Sequence, residues 1–365
     1  MKAAKIRIGV AGLGRIGWPF HCAQIAQHSQ YEFVAVQDAA PERLEEARKV
    51  YGVHGYRDFS EMLAESRLDA VAIATPTPFH RPMATEALRA GCHVMLEKPM
   101  APNATDAAAI VQEAARRRRV LTVYQPRRAD AYFQHLKRMV DAGLVGQVYH
   151  VHVGMYQYVI RNDWQALRKF GGGMLNNYGA HALDQVLQLI GYEVKRVFCN
   201  LRLVASLGNA EDVVKIVLET RDHAIGEVDI NQASAIVPFT LDVWGTRGAI
   251  SLSQDTTQFR VRSFPAGGAR QSGLDPALAS AGRQYPRGQI RWRESVVPVD
   301  LRLAVDVYED LARAIRTGAR PFVRPEEPLA LMRLIDRCRE ESGGIVSTSL
   351  FPRGGARRPP KRRAS

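Results

Sequence analysis

Short apolar runs alternate with helical patterns along residues 1–125. The apolar runs occupy residues 6–11, 33–37, 70–75, 93–97 and 120–124, and the helical patterns occupy residues 15–28, 41–51, 59–65, 83–90 and 104–118. The apolar runs are bounded by turn residues and are short enough to be buried strands. Alternation at this spacing predicts a parallel sheet with right-handed crossovers. We therefore expect residues 1–125 to form an α/β domain with a doubly wound parallel sheet.

The pattern changes after residue 125 to long segments that alternate between apolar and polar residues. These segments occupy residues 147–158, 195–206, 213–220, 224–232, 240–244 and 258–263, and helical patterns occupy residues 129–142, 303–317 and 328–342. A period of two with turn residues between the segments predicts a largely antiparallel, open sheet. We expect residues 126–350 to form a second, α+β domain, with a long loop over residues 265–295.

The charge is concentrated at the carboxyl end. The 365 residues carry a formal net charge of +13, and residues 352–365 hold six basic residues and no acid. A segment rich in proline, glycine and arginine buries little apolar area, so we expect residues 351–365 to be a disordered basic tail. This charge distribution does not by itself indicate a nucleic-acid-binding protein.

Composition also bears on the compartment. No apolar stretch approaches the roughly 18 residues of a membrane span, and no secretory signal precedes the first predicted strand. The four cysteines (Cys22, Cys92, Cys199 and Cys338) lie far apart, without the spacing of a disulfide framework or a zinc site. We expect a cytoplasmic protein with no membrane partner and no metal.

A glycine motif lies between the first predicted strand and the first predicted helix. Residues 12–17 read Gly-Leu-Gly-Arg-Ile-Gly, so Gly12, Gly14 and Gly17 form GxGxxG around Arg15 and Ile16. Such a turn lets the backbone approach a pyrophosphate at a helix N-terminus, although the glycines also suit an ordinary tight turn.

An acid follows the glycine motif at the distance that a dinucleotide site requires. Asp38 lies 21 residues after Gly17, at the end of the second predicted strand. A carboxylate there accepts hydrogen bonds from ribose hydroxyls and repels a 2′-phosphate, so NAD is favoured as the cofactor. The nearby Arg43 keeps NADP open.

Lys98 closes the fourth predicted strand in the sequence Glu97-Lys98-Pro99. This position is the carboxyl edge of the sheet, where open parallel sheets bind ligands. The lysine is either a surface ammonium or a partly desolvated amine that polarises or deprotonates a substrate hydroxyl.

Several segments together resemble one known family. The segments are GLGRIG with Asp38, the turn ATPTPFH at residues 74–80, Glu97-Lys98-Pro99, GGGMLNNYGAH at residues 171–181, and the hairpin GTRG at residues 245–248. Their order resembles that of the glucose–fructose oxidoreductase/inositol dehydrogenase (Gfo/Idh/MocA) family, over about residues 5–350. The resemblance implies an N-terminal Rossmann domain that binds NAD(P) and a C-terminal domain whose open sheet often forms the oligomer interface. A homodimer or homotetramer is expected.

The resemblance also implies the catalytic residues. Many members of the family carry an aspartate and a histidine in the third motif; here Asn177 takes the place of the aspartate and His181 is retained. An amide binds a hydroxyl but takes no proton, so we expect His181 to be the general base. Lys98 then stabilises the developing alkoxide and Asn177 orients the substrate, with Lys98 as the alternative proton acceptor.

Further residues near the expected cleft have two interpretations each. Thr75, Pro76, His80 and Glu97 are predicted to contact the cofactor, although His80 also suits a solvated loop. Trp164 either forms a wall for a sugar or anchors its loop, and Asp184 either orients His181 or makes a structural contact. Basic residues flank the cleft and suit an anionic or phosphorylated substrate, or are surface charges: Arg127, Arg128, Arg161 and Arg168. Among them, Arg127 is predicted to bind substrate.

His150 and His152 fall on one face of a predicted strand. Such a pair suits a metal site, but no carboxylate lies at ligand spacing in the sequence, so we expect them on the outer or interface face of the second sheet.

The sequence therefore predicts an NAD-dependent oxidoreductase that acts on a secondary alcohol of a sugar, cyclitol or related polyol. The resemblance, more than the spacing of residues, carries this substrate class. Two other functions remain open: an NAD-assisted glycoside hydrolase and a non-catalytic NAD-binding sensor.

Overall fold

The first sheet is parallel throughout. The structure, a computed structural model, describes residues 4–238, 241–270, 274 and 287–348. The strands of the first sheet are β1 (Ile6–Ala11), β2 (Tyr31–Gln37), β3 (His54–Tyr56), β4 (Ala70–Ile73), β5 (His93–Glu97) and β6 (Leu121–Tyr124). Their order is β3-β2-β1-β4-β5-β6. The chain therefore winds outward from β1 in both directions, which confirms the predicted doubly wound sheet.

Helices connect these strands. They are α1 (Ala23–Gln27), α2 (Pro41–Tyr51), α3 (Phe59–Glu65), α4 (His80–Arg89) and α5 (Ala104–Arg117). The first predicted helix begins instead as a π-helical turn, Gly17–Cys22. Strand β3 was not predicted because it has only three residues, HGY, and lacks an apolar run.

The second sheet is mixed and largely antiparallel. Its strands are β7 (Val148–Tyr156), β8 (Val194–Leu203), β9 (Val213–Thr220), β10 (Ile225–Asn231), β11 (Leu241–Gly245), β12 (Gly248–Leu252), β13 (Gln258–Ser263), β16 (Arg293–Pro298) and β17 (Ile345–Ser347). Their order is β16-β13-β12-β11-β7-β10-β9-β8-β17. Only the pairs β7–β10 and β8–β17 are parallel within the described strands. The predicted α/β architecture with a second, largely antiparallel open sheet is confirmed.

The remaining helices are α6 (Pro126–Ala129), α7 (Ala131–Asp141), α8 (Ala180–Ile190), α9 (Val307–Thr317) and α10 (Glu326–Glu341). Helix α9 begins later than predicted because the Asp306 side chain accepts hydrogen bonds from the N–H groups of Tyr308 and Glu309 and so caps it. The predicted helix at residues 129–142 is interrupted at Asp130, between α6 and α7.

The loop predicted over residues 265–295 contains strands at both ends. Strands β14 (Ala269–Arg270) and β15 (Gln289–Ile290) pair with each other, and β16 extends the second sheet. The centre of that loop, Thr240 and the predicted tail at residues 351–365 lie outside the described residues.

Two apolar cores position the site. One lies on one face of the first sheet and includes Tyr308 and Leu311 of α9, so a helix from late in the chain completes the core of the first domain. The other core runs from α4 and α5 through α10 to the inner face of the second sheet. Within the described residues, no helix is long and apolar enough to span a membrane.

The outer face of the second sheet carries His150 and His152, as predicted. Their rings stack 6.3 Å apart, and each lies within 3.7 Å of a carboxylate oxygen of Glu227 on the adjacent β10. The Lys215 ammonium also binds Glu227, which leaves that carboxylate poorly suited to a cation. No group of three or more metal-ligating side chains occurs in the part of the chain that the structure describes.

Candidate active site

The glycine turn approaches strand β4 so closely that side chains are excluded. Gly12 has φ +89°, and a Cβ there would lie 2.8 Å from the backbone of Ala74. A Cβ on Gly17 would lie 1.8 Å from the carbonyl oxygen of Gly12. Gly14, in contrast, faces open space, and no atom lies within 4 Å of the position that a Cβ would take. The turn thus has a bare backbone surface at the helix N-terminus, which fits a pyrophosphate.

Asp38 is buried beside this turn. Its Oδ2 accepts a hydrogen bond from the N–H of Leu13 at 2.7 Å, and its Oδ1 accepts one from the N–H of Ala40 at 2.9 Å. The half-exposed Arg43 lies 3.3 Å from the same carboxylate. The carboxylate therefore holds the glycine turn against the end of β2, where a dinucleotide ribose is expected.

Lys98 reaches from the end of β5 toward the second domain. Its Nζ donates to the side-chain Oδ1 of Asn177 at 3.0 Å and to the backbone carbonyl of Asn177 at 3.2 Å. Desolvation lowers the pKa of the amine below its ordinary value; the carboxylate of Glu97 opposes this shift, and the charges of Arg127 and Arg161 add to it. Lys98 is therefore a half-buried side chain bonded to Asn177 and not a free surface ammonium, and its action on a substrate hydroxyl stays a prediction.

His181 is buried on α8, one helical turn after Asn177. Burial, and then the charges of Lys98 and Arg127, lower its pKa well below the ordinary value. Its Nδ1 has no hydrogen-bond partner among the described residues. The imidazole is therefore neutral at neutral pH and can accept a proton.

These side chains line one continuous cleft between the two sheets. A first compartment is lined by residues that include Ile16, Thr75, Lys98 and Asn177. A second compartment shares Lys98 and Asn177 and adds Arg15, Arg127 and His181. The cleft thus brings together residues that the sequence predicted separately: Arg15, Ile16, Thr75, Glu97, Lys98, Arg127, Trp164, Asn177 and His181.

The loop before the third motif supplies a residue that the sequence did not indicate. The Oε1 of Gln165 accepts a hydrogen bond from the Asn177 amide at 3.2 Å and another from Arg161. Arg161 also pairs with Asp163 at 2.9 Å. Asn177 is thereby held at both ends, by Lys98 and by Gln165. Trp164, 43% exposed, lines both compartments.

Glu97 belongs to a buried chain of hydrogen bonds beneath the cleft. Its Oε2 accepts from the N–H of Lys98 at 3.0 Å, and its Oε1 lies 3.0 Å from His21 Nε2. The other ring nitrogen of His21 lies 2.6 Å from the hydroxyl of Tyr308. The sequence could have indicated His21, because it lies four residues after Gly17 on the same helical turn. It could not have indicated Tyr308, which is 287 residues away from His21.

Two interpretations from the sequence are corrected here. The interpretation of His80 as a solvated loop residue is wrong, because its side chain is buried. Its ring nitrogens lie 2.8 Å and 3.0 Å from the carbonyl oxygens of Thr75 and Pro99. His80 braces the two loops around the cleft, and neither it nor Pro76 lines either compartment.

Asp184 does not orient His181. Its carboxylate pairs with Arg128, whose Nε donates to Asp184 Oδ2 at 2.8 Å, and Arg128 also pairs with Glu327 at 2.7 Å. Asp184 and Arg128 are both almost fully buried. Their contact is structural, and Arg128 is not available to the cleft.

Comparison with known proteins places the chain in a family. The family model described as an oxidoreductase family with an NAD-binding Rossmann fold matches residues 6–125, and the model of the GFO/IDH/MocA C-terminal domain matches residues 133–251. The chain therefore belongs to the Gfo/Idh/MocA family of NAD(P)-dependent oxidoreductases, which confirms the resemblance read from the sequence.

Individual relatives are similar along much of the chain. The scyllo-inositol 2-dehydrogenase (NADP(+)) of Bacillus subtilis is 26% identical over 353 residues, which cover 93% of this chain and 95% of the relative. The myo-inositol 2-dehydrogenase of Thermotoga maritima is 27% identical over 259 residues, covering 67% and 74%. The crystal structure of an NAD-binding protein from Listeria innocua superposes with a TM-score of 0.79 at 25% identity, covering 93% and 95%.

Proposed function

We propose that this oxidoreductase is an NAD-dependent dehydrogenase that oxidises a secondary alcohol of a sugar, cyclitol or related polyol. The observation that carries the proposal is the convergence of a desolvated Lys98 amine, the Asn177 amide and a neutral His181 in one cleft beside the glycine turn. The inositol dehydrogenases among its relatives support the substrate class.

The residues divide the proton work. A bound nicotinamide would supply the hydride acceptor for oxidation of the carbinol carbon to a carbonyl. His181 accepts the hydroxyl proton, because its imidazole is neutral and lines the cleft together with Lys98. Lys98 stabilises the developing negative charge on the oxygen.

Asn177 has a positioning role in this scheme. Its Oδ1 accepts from Lys98 and its Nδ2 donates to Gln165, so the amide holds the amine at a defined place in the cleft. Such fixed orientation lowers the cost of reaching a reactive geometry.

NAD is the proposed cofactor, with NADP second. Gly12, Gly14, Arg15, Ile16, Gly17 and Asp38 are proposed to hold the dinucleotide, together with Thr75, Glu97 and Lys98. The Asp38 carboxylate would repel a 2′-phosphate, whereas Arg43 at 3.3 Å partly neutralises it and leaves NADP tolerated.

In this proposal, residues 1–125 form the domain that binds the cofactor and residues 126–350 form the domain that binds the substrate. Helix α9 contributes to the core of the cofactor-binding domain. The four cysteines are unpaired and buried, which suits a cytoplasmic enzyme. The outer face of the second sheet exposes Phe198 and Val296 and supports a homodimer or homotetramer.

The test is NADH formation, followed by absorbance, with NAD or NADP against a panel of polyols, sugars, sugar acids and glycosides. We expect turnover with at least one alcohol and a loss of at least about 100-fold in kcat for Lys98→Met and for His181→Asn. Arg302→Gln, at a side chain 89% exposed, is the control. Glycoside cleavage with retained NAD and no NADH would support the hydrolase instead, and NAD binding without any turnover the sensor.

A further inference from the structure

The cleft contains a guanidinium group that forms no ion pair with any acid of the described residues. Arg127 follows β6 on α6 and lines the second compartment with Lys98 and His181. Its guanidinium carbon lies 6.0 Å from the ring centre of Tyr178. None of the ion pairs among the described residues includes Arg127. The charge of Arg127 acts to lower the pKa of Asp130, but no ion pair joins the two side chains.

The acids that line the second compartment already have hydrogen-bond or ion-pair partners. Glu97 accepts from the N–H of Lys98 and contacts His21, and Asp163 pairs with Arg161. Arg15, Lys98 and Arg127 therefore face the compartment without a carboxylate partner there. Like charges at close range cost free energy unless an opposite charge enters.

The cofactor phosphates do not account for Arg127. They are expected at the glycine turn that follows β1, whereas Arg127 follows β6, three strands further along the sheet. Strands are spaced about 4.8 Å apart, so the two positions are separated by about 14 Å across the sheet. Arg15 lies in the glycine turn and is suited to the phosphates. Arg127 lies beyond Lys98 as seen from the glycine turn, because β6 follows β5 in the sheet.

We propose that the substrate carries an anionic group, a carboxylate or a phosphate, that binds Arg127 while its reacting hydroxyl lies at Lys98 and His181. The inference rests on the proposed dehydrogenase function and narrows it from neutral polyols to sugar acids or sugar phosphates. A planar guanidinium binds either anion through two parallel hydrogen bonds. The anion would also offset the positive charge that Arg127 exerts on Lys98 and His181.

The experiment measures binding to the NAD-loaded, full-length protein by titration calorimetry. Matched probes separate the charge from the sugar ring: D-glucose, D-glucuronate and D-glucose 6-phosphate, with D-galactose and D-galacturonate as a second pair. Inorganic phosphate and acetate test the anion alone. We expect an anionic probe to bind at least about tenfold more tightly than its neutral counterpart, with the preference falling as salt is added. Whether glucuronate or the 6-phosphate binds more tightly distinguishes the two sources of the anion.

Variants assign the effect to Arg127. Arg127→Gln should weaken binding of the anionic probe about 10- to 100-fold and leave the neutral sugar unchanged. Arg127→Lys keeps the charge but cannot form two parallel hydrogen bonds, so it should lose less affinity for the anionic probe. Arg48→Gln, on the exposed face of α2, is the control and should change the affinity for neither the anionic nor the neutral probe. Thermal unfolding of each variant establishes that it is folded.

Equal affinity for acid and neutral sugar, anion affinity unchanged in Arg127→Gln, or no saturable anion binding would each overturn the inference. The proposed function fails separately. NADH formed equally well from neutral polyols would leave the dehydrogenase standing without the anion site. Anion binding through Arg127 with no NADH from any alcohol would support the anion site and contradict the dehydrogenase function.

Discussion

Asn177 is the residue that most sets the chemistry of this cleft. An amide neither accepts nor releases a proton in the working pH range, so it cannot share the proton work with its neighbours. Its two polar ends are used instead to join Lys98 to Gln165. The acid–base step then falls to His181, with Lys98 as the alternative.

The substitution Asn177→Asp separates these two assignments. A carboxylate beside Lys98 favours the charged ammonium and raises its pKa, and it raises the pKa of His181 in the same way. In the wild type, we expect the oxidation rate to rise with pH through a His181 pKa below the ordinary value, to stay level near neutral pH, and to fall where Lys98 loses its proton. Both limbs should move to higher pH in the variant, by about one unit or more. The pH dependence of kcat/KM measures this.

A different profile would contradict the assignment to His181. If Lys98 accepted the proton, the wild-type rate would rise through the Lys98 pKa, and Asn177→Asp would lower activity at neutral pH by moving that rise upward. Asn177→Ser, which adds no charge, is the matched control and should leave the positions of both limbs nearly unchanged.

The meeting of Lys98, Asn177 and His181 in one cleft could be predicted, because Lys98 lies at the carboxyl end of a strand and the other two lie in a segment that resembles a family motif. It could not predict the surroundings of His80 or Asp184. His80 is buried through the carbonyl of Pro99, 19 residues away, and Asp184 pairs with an arginine 56 residues away. Burial and pairing of this kind depend on how distant segments pack.

The glycine turn between β1 and α1 is the element that defines the cofactor site. Three glycines meet three different demands: a left-handed backbone at Gly12, contact with a carbonyl at Gly17, and open space at Gly14. Only Gly14 has room for a side chain in the protein alone, and that room is where a pyrophosphate is expected.

Alanine substitutions should therefore have opposite effects at two of these glycines. Gly14→Ala should fold with nearly the same melting temperature but bind NAD at least about tenfold more weakly, a loss of ~1.4 kcal/mol. Gly17→Ala should lower the melting temperature or prevent folding, because its Cβ would lie 1.8 Å from a backbone oxygen. Thermal unfolding and NAD titration test both. NAD affinity unchanged in Gly14→Ala would contradict this placement of the cofactor.

At the level of elements, strong hydrophobic periodicity made most of the structure predictable. Buried runs such as β1 and β5, and alternating strands such as β9 and β13, have the predicted positions. The strands that were missed are β3, β12, β14, β15, β16 and β17, and all of them except β12 are short or exposed. Strand β16 reads RESVVP and pairs only with β13 among the described strands, at the edge of the sheet, so little burial constrains its sequence.

At the scale of the whole molecule, one buried arginine joins three helices behind the cleft. Arg128 of α6 pairs with Asp184 of α8 and with Glu327 of α10. Asp184 and Glu327 come from distant parts of the chain, so this ion-pair group holds α8, and with it His181, against α6 and α10.

Removing this arginine should destabilise the molecule. Arg128→Met leaves two buried carboxylates without their shared partner, and we expect the free energy of unfolding to fall by about 3–5 kcal/mol. Arg324→Met is the matched control, because Arg324 pairs with the same Glu327 but its side chain is 44% exposed. That variant should lose no more than about 1 kcal/mol. Urea unfolding compares the two, and equal losses would show that burial of Arg128 is not what matters.

The measurement that tests the central claim most directly follows a deuterium label from substrate to cofactor. The protein is given NAD and a substrate deuterated at the carbon to be oxidised, taken as the compound with the fastest turnover in the panel. We expect one deuterium per product molecule to be recovered in the reduced cofactor, and His181→Asn to slow the transfer without changing its destination. Recovery of oxidised, unlabelled cofactor alongside converted substrate, or of label in the solvent alone, would contradict the dehydrogenase.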